Sequence, residues 1–270
     1  MLELLGVTKE FCGDTTDRVR ALDEITLRVE EGSFVTTIGT NGSGKSTLLN
    51  AIAGAMEIDA GQIRIAEQDV TRWPEHARAR LVGRVFQNPF SGTAPNMTLV
   101  ENLSLAARRG QRRGLGWAVG GHLRDELRDR VASLGMGLED RMDTPIGLLS
   151  GGQRQALTLL MATWNRPELL LLDEHTAALD PKTADLVMRL TQQIVASERL
   201  TTLMVTHSMQ QAASVGDRLL MMHRGRIVYD IAGADKRRVR SDELLRRFEE
   251  LRRSELLDAT AAEMLLSTYV

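Results

Sequence analysis

The chain of 270 residues has little cysteine, proline or aromatic character: one Cys, six Pro and an aromatic fraction of 4%. Its single cysteine, Cys12, excludes an internal disulfide, which fits a reducing compartment. An excess of one sign of charge is also missing, because 34 Lys and Arg stand against 36 Asp and Glu and leave a net charge of −2. This balance argues against a dedicated nucleic-acid binder.

Long apolar runs are a further absence. No segment approaches the roughly 20 apolar residues that a membrane-spanning helix needs. Residues 1–10 have no basic region followed by an apolar one, so we expect no secretory signal. Hydrophobic residues make up 43% of the chain and charged residues 26%, which excludes disorder of the whole chain.

Strand-like and helix-like segments alternate, which is the pattern of an α/β fold. Strands are predicted at 25–29, 34–38, 62–66, 82–87, 169–172, 202–206, 218–222 and 226–231, with an Arg224-Gly225 turn joining the last two. Helices are predicted at 45–53, 154–164 and 182–196, the last with Asp180 as its cap and Pro181 at its first position. Residues 96–137 are expected to be mainly helical, with a glycine-rich loop inside the arginine-rich stretch 108–130.

The segment 235–270 is highly charged and differs from the rest. Leu244, Phe248 and Leu251 follow the spacing of one helix face, after a helix start at Ser241. We predict that 235–270 is a helical C-terminal extension packed on a domain of residues 1–234.

The first motif with a chemical meaning is a phosphate loop. Residues 39–46 read Gly-Thr-Asn-Gly-Ser-Gly-Lys-Ser, after a predicted strand and before a predicted helix. Such a loop turns backbone N–H groups toward phosphate oxygens, and the helix N-terminus attracts the same anion. The residues expected on a nucleotide are Gly39, Thr40, Asn41, Gly42, Ser43 and Gly44 around its phosphates, Lys45 on the β- and γ-phosphates, Ser46 on Mg²⁺ and Thr47 on the α-phosphate.

Two acids follow the leucine run at 169–172, where a buried parallel strand would end. Ligands of α/β proteins bind at this end of the sheet. Asp173 is placed to hold Mg²⁺, and Glu174, one residue further, is placed to polarise an attacking water. Solvated acids at a strand end are the alternative, which the phosphate loop upstream disfavours.

The pentapeptide Leu149-Ser150-Gly151-Gly152-Gln153 precedes a predicted apolar helix, and its serine and glycines form either an anion-binding helix start or a plain cap. It resembles the signature of the nucleotide-binding subunits of ATP-binding cassette (ABC) transporters. The resemblance covers about residues 2–232, with the motifs in the family's order. It implies the ABC ATPase fold of phosphate-loop NTPases: α/β, with a mixed core sheet, an antiparallel β-subdomain and an α-helical subdomain at about 88–165.

The resemblance also implies roles for individual residues. Phe11 matches the aromatic that stacks on adenine, and Gln87 the glutamine that contacts Mg²⁺ and the attacking water. Asp180 ends the loop that crosses to the partner subunit, and His207 matches the switch histidine on the γ-phosphate. The expected catalytic residues are thus Glu174, His207 and Gln87, and the expected metal ligands are Ser46, Gln87 and Asp173.

A second cassette and a permease are implied in the same way. ATP would lie between Lys45 of one copy and the signature of another, namely its Ser150, Gly151, Gly152 and Gln153, in a head-to-tail homodimer. The family places such subunits on the cytoplasmic face of the inner membrane, against transmembrane permease subunits and indirectly a substrate-binding protein. Apolar candidates for the permease contact are Phe90, Met97, Leu99 and Val100.

One departure concerns His175, which follows the catalytic acid where the family usually has proline. The run 173–181 resembles one subgroup of bacterial uptake systems, for which amino-acid-like substrates are among those proposed. We interpret His175 itself as a loop residue without a role.

Several alternatives stay open at this point: an exporter ATPase, or a cassette ATPase that acts on DNA or ribosomes. Chromosome-organising members need a long coiled coil and translation-linked members carry two cassettes, and this sequence has neither. A phosphate-loop kinase or small GTPase would not explain residues 149–153, and an Asn-Lys-x-Asp guanine reader is absent. We therefore expect a Mg²⁺-dependent ATPase that powers import through a separate permease.

Overall fold

The computed structural model describes residues 1–12, 18–110, 121–251 and 253. Its centre is a six-stranded sheet of β3 (Phe34–Gly39), β6 (Val82–Val85), β7 (Leu169–Asp173), β8 (Thr202–Val205), β9 (Arg218–His223) and β10 (Arg226–Ala232), in the order β10-β9-β3-β8-β7-β6. All neighbours pair in parallel except the β9–β10 hairpin, which makes the sheet mixed as predicted. The leucines of β7 are buried, because a central parallel strand is covered on both faces.

A separate antiparallel sheet carries the N-terminal part of the chain. It consists of β1 (Leu2–Cys12), β2 (Arg18–Val29), β4 (Ala60–Ile65) and β5 (Gln68–Asp69), in the order β2-β1-β4-β5. The strands predicted from the sequence do not include β1 and match only the last part of β2. The reason is physical: the pairing of β1 shifts register between Leu4 and Val7, so its alternation of buried and exposed residues is interrupted.

Among the described residues up to 240, eight helices flank the sheets, together with one 3₁₀ turn at Ile146–Leu148. They are α1 (Lys45–Ala53), α2 (Glu75–Arg78), α3 (Leu99–Ala107), α4 (Gly121–Ala132), α5 (Gly151–Thr163), α6 (Pro181–Glu198), α7 (Met209–Ser214) and α8 (Gly233–Lys236). None of the helices in the described ranges is long and apolar enough to cross a membrane.

The helical part of the chain, α3 to α5, packs into an apolar cluster that it shares with one face of the central sheet and with α6. Leu99 and Val100 are buried in that cluster, so their prediction as permease contacts is wrong, whereas Phe90 is 47% exposed. The capping box of Thr98 and Glu101 turns the first residues of α3 inward. The glycine-rich loop predicted within 108–130 lies largely outside the described residues.

The tail helix, residues 241–251, covers the outer face of β9 and β10. Leu244 is fully buried there with Ile38 and Leu219, and Leu251 packs at the edge of the same cluster. Arg247 lies 4.4 Å over the ring of Tyr229 on β10. Leu244 and Leu251 of the predicted apolar spacing therefore face the domain, and the predicted extension beyond residue 253 lies outside the described residues.

A buried arginine closes the C-terminal end of α1. Arg78 is 2% exposed, and its guanidinium donates to the carbonyls of Ala51 (2.7 Å), Ile52 (2.9 Å), Trp73 (2.9 Å) and Thr71 (3.0 Å). Its positive charge thus meets the negative end of the α1 dipole. Burial lowers the pKa of Arg78, although a guanidinium stays charged.

We predict that Arg78→Met lowers the free energy of unfolding by about 3 kcal/mol, because buried carbonyls lose their donor. The matched control is Arg80→Met, since Arg80 is exposed and lies over the ring of Trp73. Its loss should stay below about 1 kcal/mol. Urea denaturation of both variants measures the difference, and equal losses would contradict the capping role of Arg78.

Candidate active site

Three loops meet at one edge of the central sheet. β3, β8 and β7 are parallel neighbours, so their carboxyl ends lie side by side. The register pairs Val205 with Thr37 on one side and with Asp173 on the other. The loops that follow carry the phosphate-loop motif after β3, Glu174 after β7 and His207 after β8.

The ammonium of Lys45 lies inside the phosphate loop. Lys45 is 6% exposed, and its Nζ donates to the carbonyls of Gly39 (2.9 Å) and Thr40 (2.8 Å). Burial lowers the pKa of Lys45, while the nearby carboxylates of Glu174 and Asp173 oppose that shift. α1 has no side-chain cap, so its first N–H groups are left for an external acceptor.

Neighbouring backbone holds the loop in shape. The N–H of Gly225, in the β9–β10 turn, donates to the carbonyl of Ser43 at 3.1 Å. Gly44 has φ +99°, and a Cβ there would lie 2.2 Å from the carbonyl oxygen of Ala21 on β2. Only glycine tolerates both this positive φ and this close approach, so packing as well as conformation requires glycine at position 44.

Glu174 and His207 contact each other across adjacent strand ends. The Oε1 of Glu174 lies 2.5 Å from the Nε2 of His207, with side-chain exposures of 10% and 47%. A carboxylate only accepts, so the contact places a proton on Nε2 of the imidazole. Glu174 also has φ +46°, a left-handed conformation that is rare for a side-chain-bearing residue.

Asp173 is the last residue of β7 and directly precedes Glu174, with side-chain exposures of 15% and 10%. Burial raises the pKa of its carboxyl, while Arg84 and Lys45 oppose that shift. The Nη2 of Arg84 lies 3.7 Å from Asp173 Oδ2 and donates at 2.6 Å to Asn50 Oδ1 on α1. Arg84 was not anticipated from the sequence, where it is one arginine of many on a short strand.

A cavity of about 300 Å³ opens at this edge of the sheet. It is lined by Asn41, Gly42, Ser43, Gly44, Lys45, Ser46, Thr47, Glu174 and His207, all of them predicted site residues. The other predicted site residues do not line it: Phe11, Gly39, Thr40, Gln87, Ser150, Gly151, Gly152, Gln153, Asp173 and Asp180. Phe11 and Gln87 are exposed, and the ring of Phe11 has the ammonium of Lys9 at 5.7 Å from its centroid.

The signature serine is the cap of α5. Ser150 Oγ accepts from the N–H of Gln153 at 3.3 Å, and Gln153 Oε1 accepts from the N–H of Ser150 at 3.2 Å. A Cβ on Gly152 would lie 2.0 Å from Thr183 Cγ2, so α5 packs closely against α6. Asp180 caps α6 in turn, and its hydrogen bond with Thr183 lowers the pKa of its carboxyl.

Two further residues of α5, not predicted from the sequence, tie the signature to the loop of Gln87. Arg154 is 4% exposed, and its guanidinium lies 3.6 Å over the ring of Phe90. Gln155 is fully buried and donates at 3.2 Å to the carbonyl of Phe86. The sequence does hold a signal for Arg154 and Gln155, because both are polar residues that interrupt the apolar pattern of a buried helix.

His175 is not the uninvolved loop residue that the sequence analysis describes. It is 2% exposed, and its Nε2 lies 3.0 Å from Oγ1 of Thr191 on α6. The hydroxyl of Thr191 donates to the carbonyl of Val187 at 2.9 Å, so Nε2–H of His175 is the donor to Thr191. Burial lowers the pKa of His175 to about 4, which keeps the imidazole neutral near pH 7.

A magnesium ion fits the chemistry of the donors present. The hydroxyl of Ser46 is exposed on the first turn of α1, and Asp173 offers a carboxylate at the end of β7, both being oxygen donors of the kind that Mg²⁺ prefers. The described residues contain no group of three or more His, Cys, Asp and Glu placed for a metal. Mg²⁺ at nucleotide sites commonly takes its other ligands from phosphates and water.

The fold and the loops at this edge define a phosphate-loop nucleotide-binding protein. Residues 22–177, more than half of the chain, match the family described as ABC transporter. The chain therefore belongs to the ABC transporter family, as an ATP-binding subunit, and the family implies ATPase activity.

Curated relatives agree with this assignment. The chain is 41% identical over 249 residues to the tyrosine transport ATP-binding protein of Clostridioides difficile, covering 92% of this chain and 99% of that protein. It is 38% identical over 229 residues to the sulfate/thiosulfate import ATP-binding protein CysA of Xanthomonas campestris. That match covers 84% of this chain and only 62% of CysA, so the chain spans less than two thirds of this relative.

A solved structure shares the architecture. The ATP-binding cassette MJ0796, a dimer in a post-hydrolysis state bound to ADP and Pi, superposes with a TM-score of 0.74 at 28% identity. The match covers 86% of this chain and 98% of that chain. The predicted ABC ATPase fold, with its mixed and antiparallel sheets, is thereby confirmed.

We predict that Gly44→Ala weakens nucleotide binding at least tenfold more than Gly42→Ala does. The reason is that the new Cβ at residue 44 collides with the carbonyl oxygen of Ala21, at a cost of about 1–3 kcal/mol. Gly42 is the matched control: it also has a positive φ, of +75°, but a Cβ there meets nothing within 4 Å. Titration of each variant with a fluorescent ATP analogue measures the affinity. Equal affinities would show that the packing against β2 does not shape the loop.

Proposed function

We propose that the chain is a Mg²⁺-dependent ATPase subunit whose head-to-tail dimerisation around ATP powers the import of a small, amino-acid-like solute. It would work at the cytoplasmic face of the inner membrane, on separate permease subunits that receive the solute from a substrate-binding protein. The observation that carries the proposal is that the phosphate loop, Glu174 and His207 line the same cavity.

The chemistry follows from the groups at that edge. Lys45 and the free N–H groups of the phosphate loop and α1 bind the phosphates, with Thr47 toward the α-phosphate. Glu174 accepts the proton of the attacking water, and His207 steadies the Glu174 carboxylate and reaches the γ-phosphate. Ser46, Asp173 and Gln87 would hold Mg²⁺, which when bound offsets the negative charge on the β- and γ-phosphate oxygens.

In the proposed dimer, the second copy supplies the signature residues, which do not line the cavity of their own copy. The signature residues Ser150, Gly151, Gly152 and Gln153 do not line it, yet Ser150 caps an exposed helix N-terminus suited to phosphate. Asp180 and Phe11 are exposed as well, on the loop assigned to the partner contact and at the position assigned to adenine. The dimeric state of the cassette MJ0796 supports a pair of this kind.

The direction and the solute class rest on relatives. The tyrosine transport protein matches nearly its whole length, and the sulfate/thiosulfate protein is named as an import subunit. The second favours uptake over export, and the first favours an amino-acid-like solute. Copurification with the permease, followed by identification of the ligand on the binding protein, would name the solute.

We predict that Lys45→Ala and Glu174→Gln each abolish hydrolysis, for different reasons. Lys45→Ala removes the cation of the phosphate site and should weaken ATP binding. Glu174→Gln keeps the shape but loses the base, so ATP should bind with near-normal affinity while turnover falls about a hundredfold or more. Removal of Mg²⁺ with EDTA should stop hydrolysis by the unmodified protein.

Phosphate release and equilibrium ATP binding are the two measurements for this prediction. The control is Glu168→Gln, an exposed acid that precedes the opposite end of β7. It should hydrolyse ATP like the unmodified chain. Near-normal turnover of Glu174→Gln would overturn the role given to Glu174.

We also predict that Ser150→Arg prevents ATP-driven dimerisation. A bulky cation at the N-terminus of α5 opposes the helix dipole and occupies the phosphate contact, while the phosphate loop of the same copy is untouched. Sedimentation of the Glu174→Gln variant with ATP, with and without Ser150→Arg, measures the dimer fraction. Ser197→Arg is the matched control, because Ser197 is an exposed residue of the last turn of α6. Unchanged dimerisation of the Ser150→Arg protein would refute the arrangement.

A further inference from the structure

The turn that carries Glu174 is anchored on both sides by buried polar groups. Glu174 and His207 line the nucleotide cavity, whereas the next two residues, His175 and Thr176, are 2% and 8% exposed. A proline in place of His175 would supply neither a side-chain donor nor a backbone N–H. The histidine therefore adds to this turn a contact that the usual family residue lacks.

The backbone at Glu174 needs such support. A left-handed conformation costs a residue with a side chain about 1–3 kcal/mol and persists only where the surroundings hold it. Backbone bonds hold part of it: the N–H of Glu174 donates to Val205 at 3.0 Å, and its carbonyl accepts from Ala177 at 2.9 Å. The second bond closes a turn over His175 and Thr176, and the carbonyl of Thr176 accepts from the N–H of Leu179 at 3.3 Å. The side chains of His175 and Thr176 attach this turn to the neighbouring helices.

Those contacts lead to two different helices. His175 Nε2–H donates to Thr191 in the middle of α6 at 3.0 Å. Thr176 Oγ1 accepts from Gln211 Nε2 of α7 at 3.1 Å, and Gln211 Oε1 accepts from Thr206 Oγ1 at 2.7 Å. Thr206 directly precedes His207. The segment of Glu174 is thus linked both to α6 and to the segment that carries its contact partner.

We propose that His175 is a positioning residue for ATP hydrolysis, whose hydrogen bond to Thr191 holds the turn in which the Glu174 carboxylate is aimed at His207 and the attacking water. This inference rests on the proposed ATPase function. Consecutive side chains here point to opposite sides, Glu174 into the cavity and His175 toward α6. Without the hydrogen bond between His175 and Thr191, the turn can rotate. Even a small rotation at Glu174 displaces the carboxylate from the attacking water.

The test uses four variants of the full chain, built from three substitutions. Thr191→Val removes the acceptor at nearly constant shape, and Thr191→Ser keeps the hydroxyl as the conservative control. His175→Leu removes the donor. The double variant His175→Leu/Thr191→Val removes both partners, which relieves the cost of one unpaired buried group and should return thermal stability toward that of the unmodified chain.

We expect Thr191→Val and His175→Leu to lower kcat about ten- to a hundredfold, with the dissociation constant for ATP within about twofold of normal. Thr191→Ser should keep kcat within about twofold. The decisive result is the double variant: its Tm should recover while its kcat stays low, because packing is restored but the direction of the turn is not.

Three outcomes overturn the inference. If kcat recovers together with Tm in the double variant, the pair is structural only. If Thr191→Val is folded and hydrolyses ATP at the normal rate, the hydrogen bond does not position Glu174. If the unmodified chain hydrolyses no ATP, or Glu174→Gln hydrolyses it normally, the proposed function fails and the inference fails with it. The first two outcomes contradict the inference alone, so the two failures are distinguishable.

Discussion

The parallel pairing of β3, β8 and β7 is the constraint on which the site depends. Each strand ends at the same edge, and β8 lies between the other two, so the loop of His207 reaches both the phosphate loop and Glu174. Glu174 continues the ladder by one residue, since its N–H donates to Val205. A register slip of one residue would turn every side chain of β7 to the other face and exchange the sides to which Asp173 and Glu174 point.

Buried cations hold the ends of the helices around this sheet. Arg78 closes α1, Lys236 donates to the carbonyls of Ala213 (2.7 Å) and Val215 (2.9 Å) after α7, and Arg109 donates to Ala162 (2.8 Å) in the last turn of α5. In each case the acceptors are backbone carbonyls at the negative end of a helix. The helix that follows the phosphate loop is therefore fixed at both ends, by the loop and by Arg78.

The sequence predicted the elements whose signals are local. The phosphate loop, the leucine strand before Asp173 and the cap at Asp180 depend on short patterns, and the bounds of α1 agree with the prediction. β1 was missed because its bulged register hides the alternation, and Leu99 and Val100 were misplaced because an apolar residue beside a loop gives no sign of its direction. The burial of His175 and the contacts of Arg84 and Arg154 depend on which helix packs beside them, which no local pattern specifies.

Charge balance supports the proposed pairing of two copies around ATP. Lys45 and Arg84 face Asp173 and Glu174, so the charged side chains of this cluster nearly cancel before any nucleotide binds. A triphosphate adds several negative charges to a partly buried edge, where unpaired charge is costly. The phosphate loop and the N-terminus of α1 offset part of it, and a divalent cation offsets more. A further source of positive potential is a second helix N-terminus, and that of α5, capped by Ser150, lies outside the cavity of its own copy. The electrostatics of a single chain thus favour both a metal ion and a head-to-tail partner.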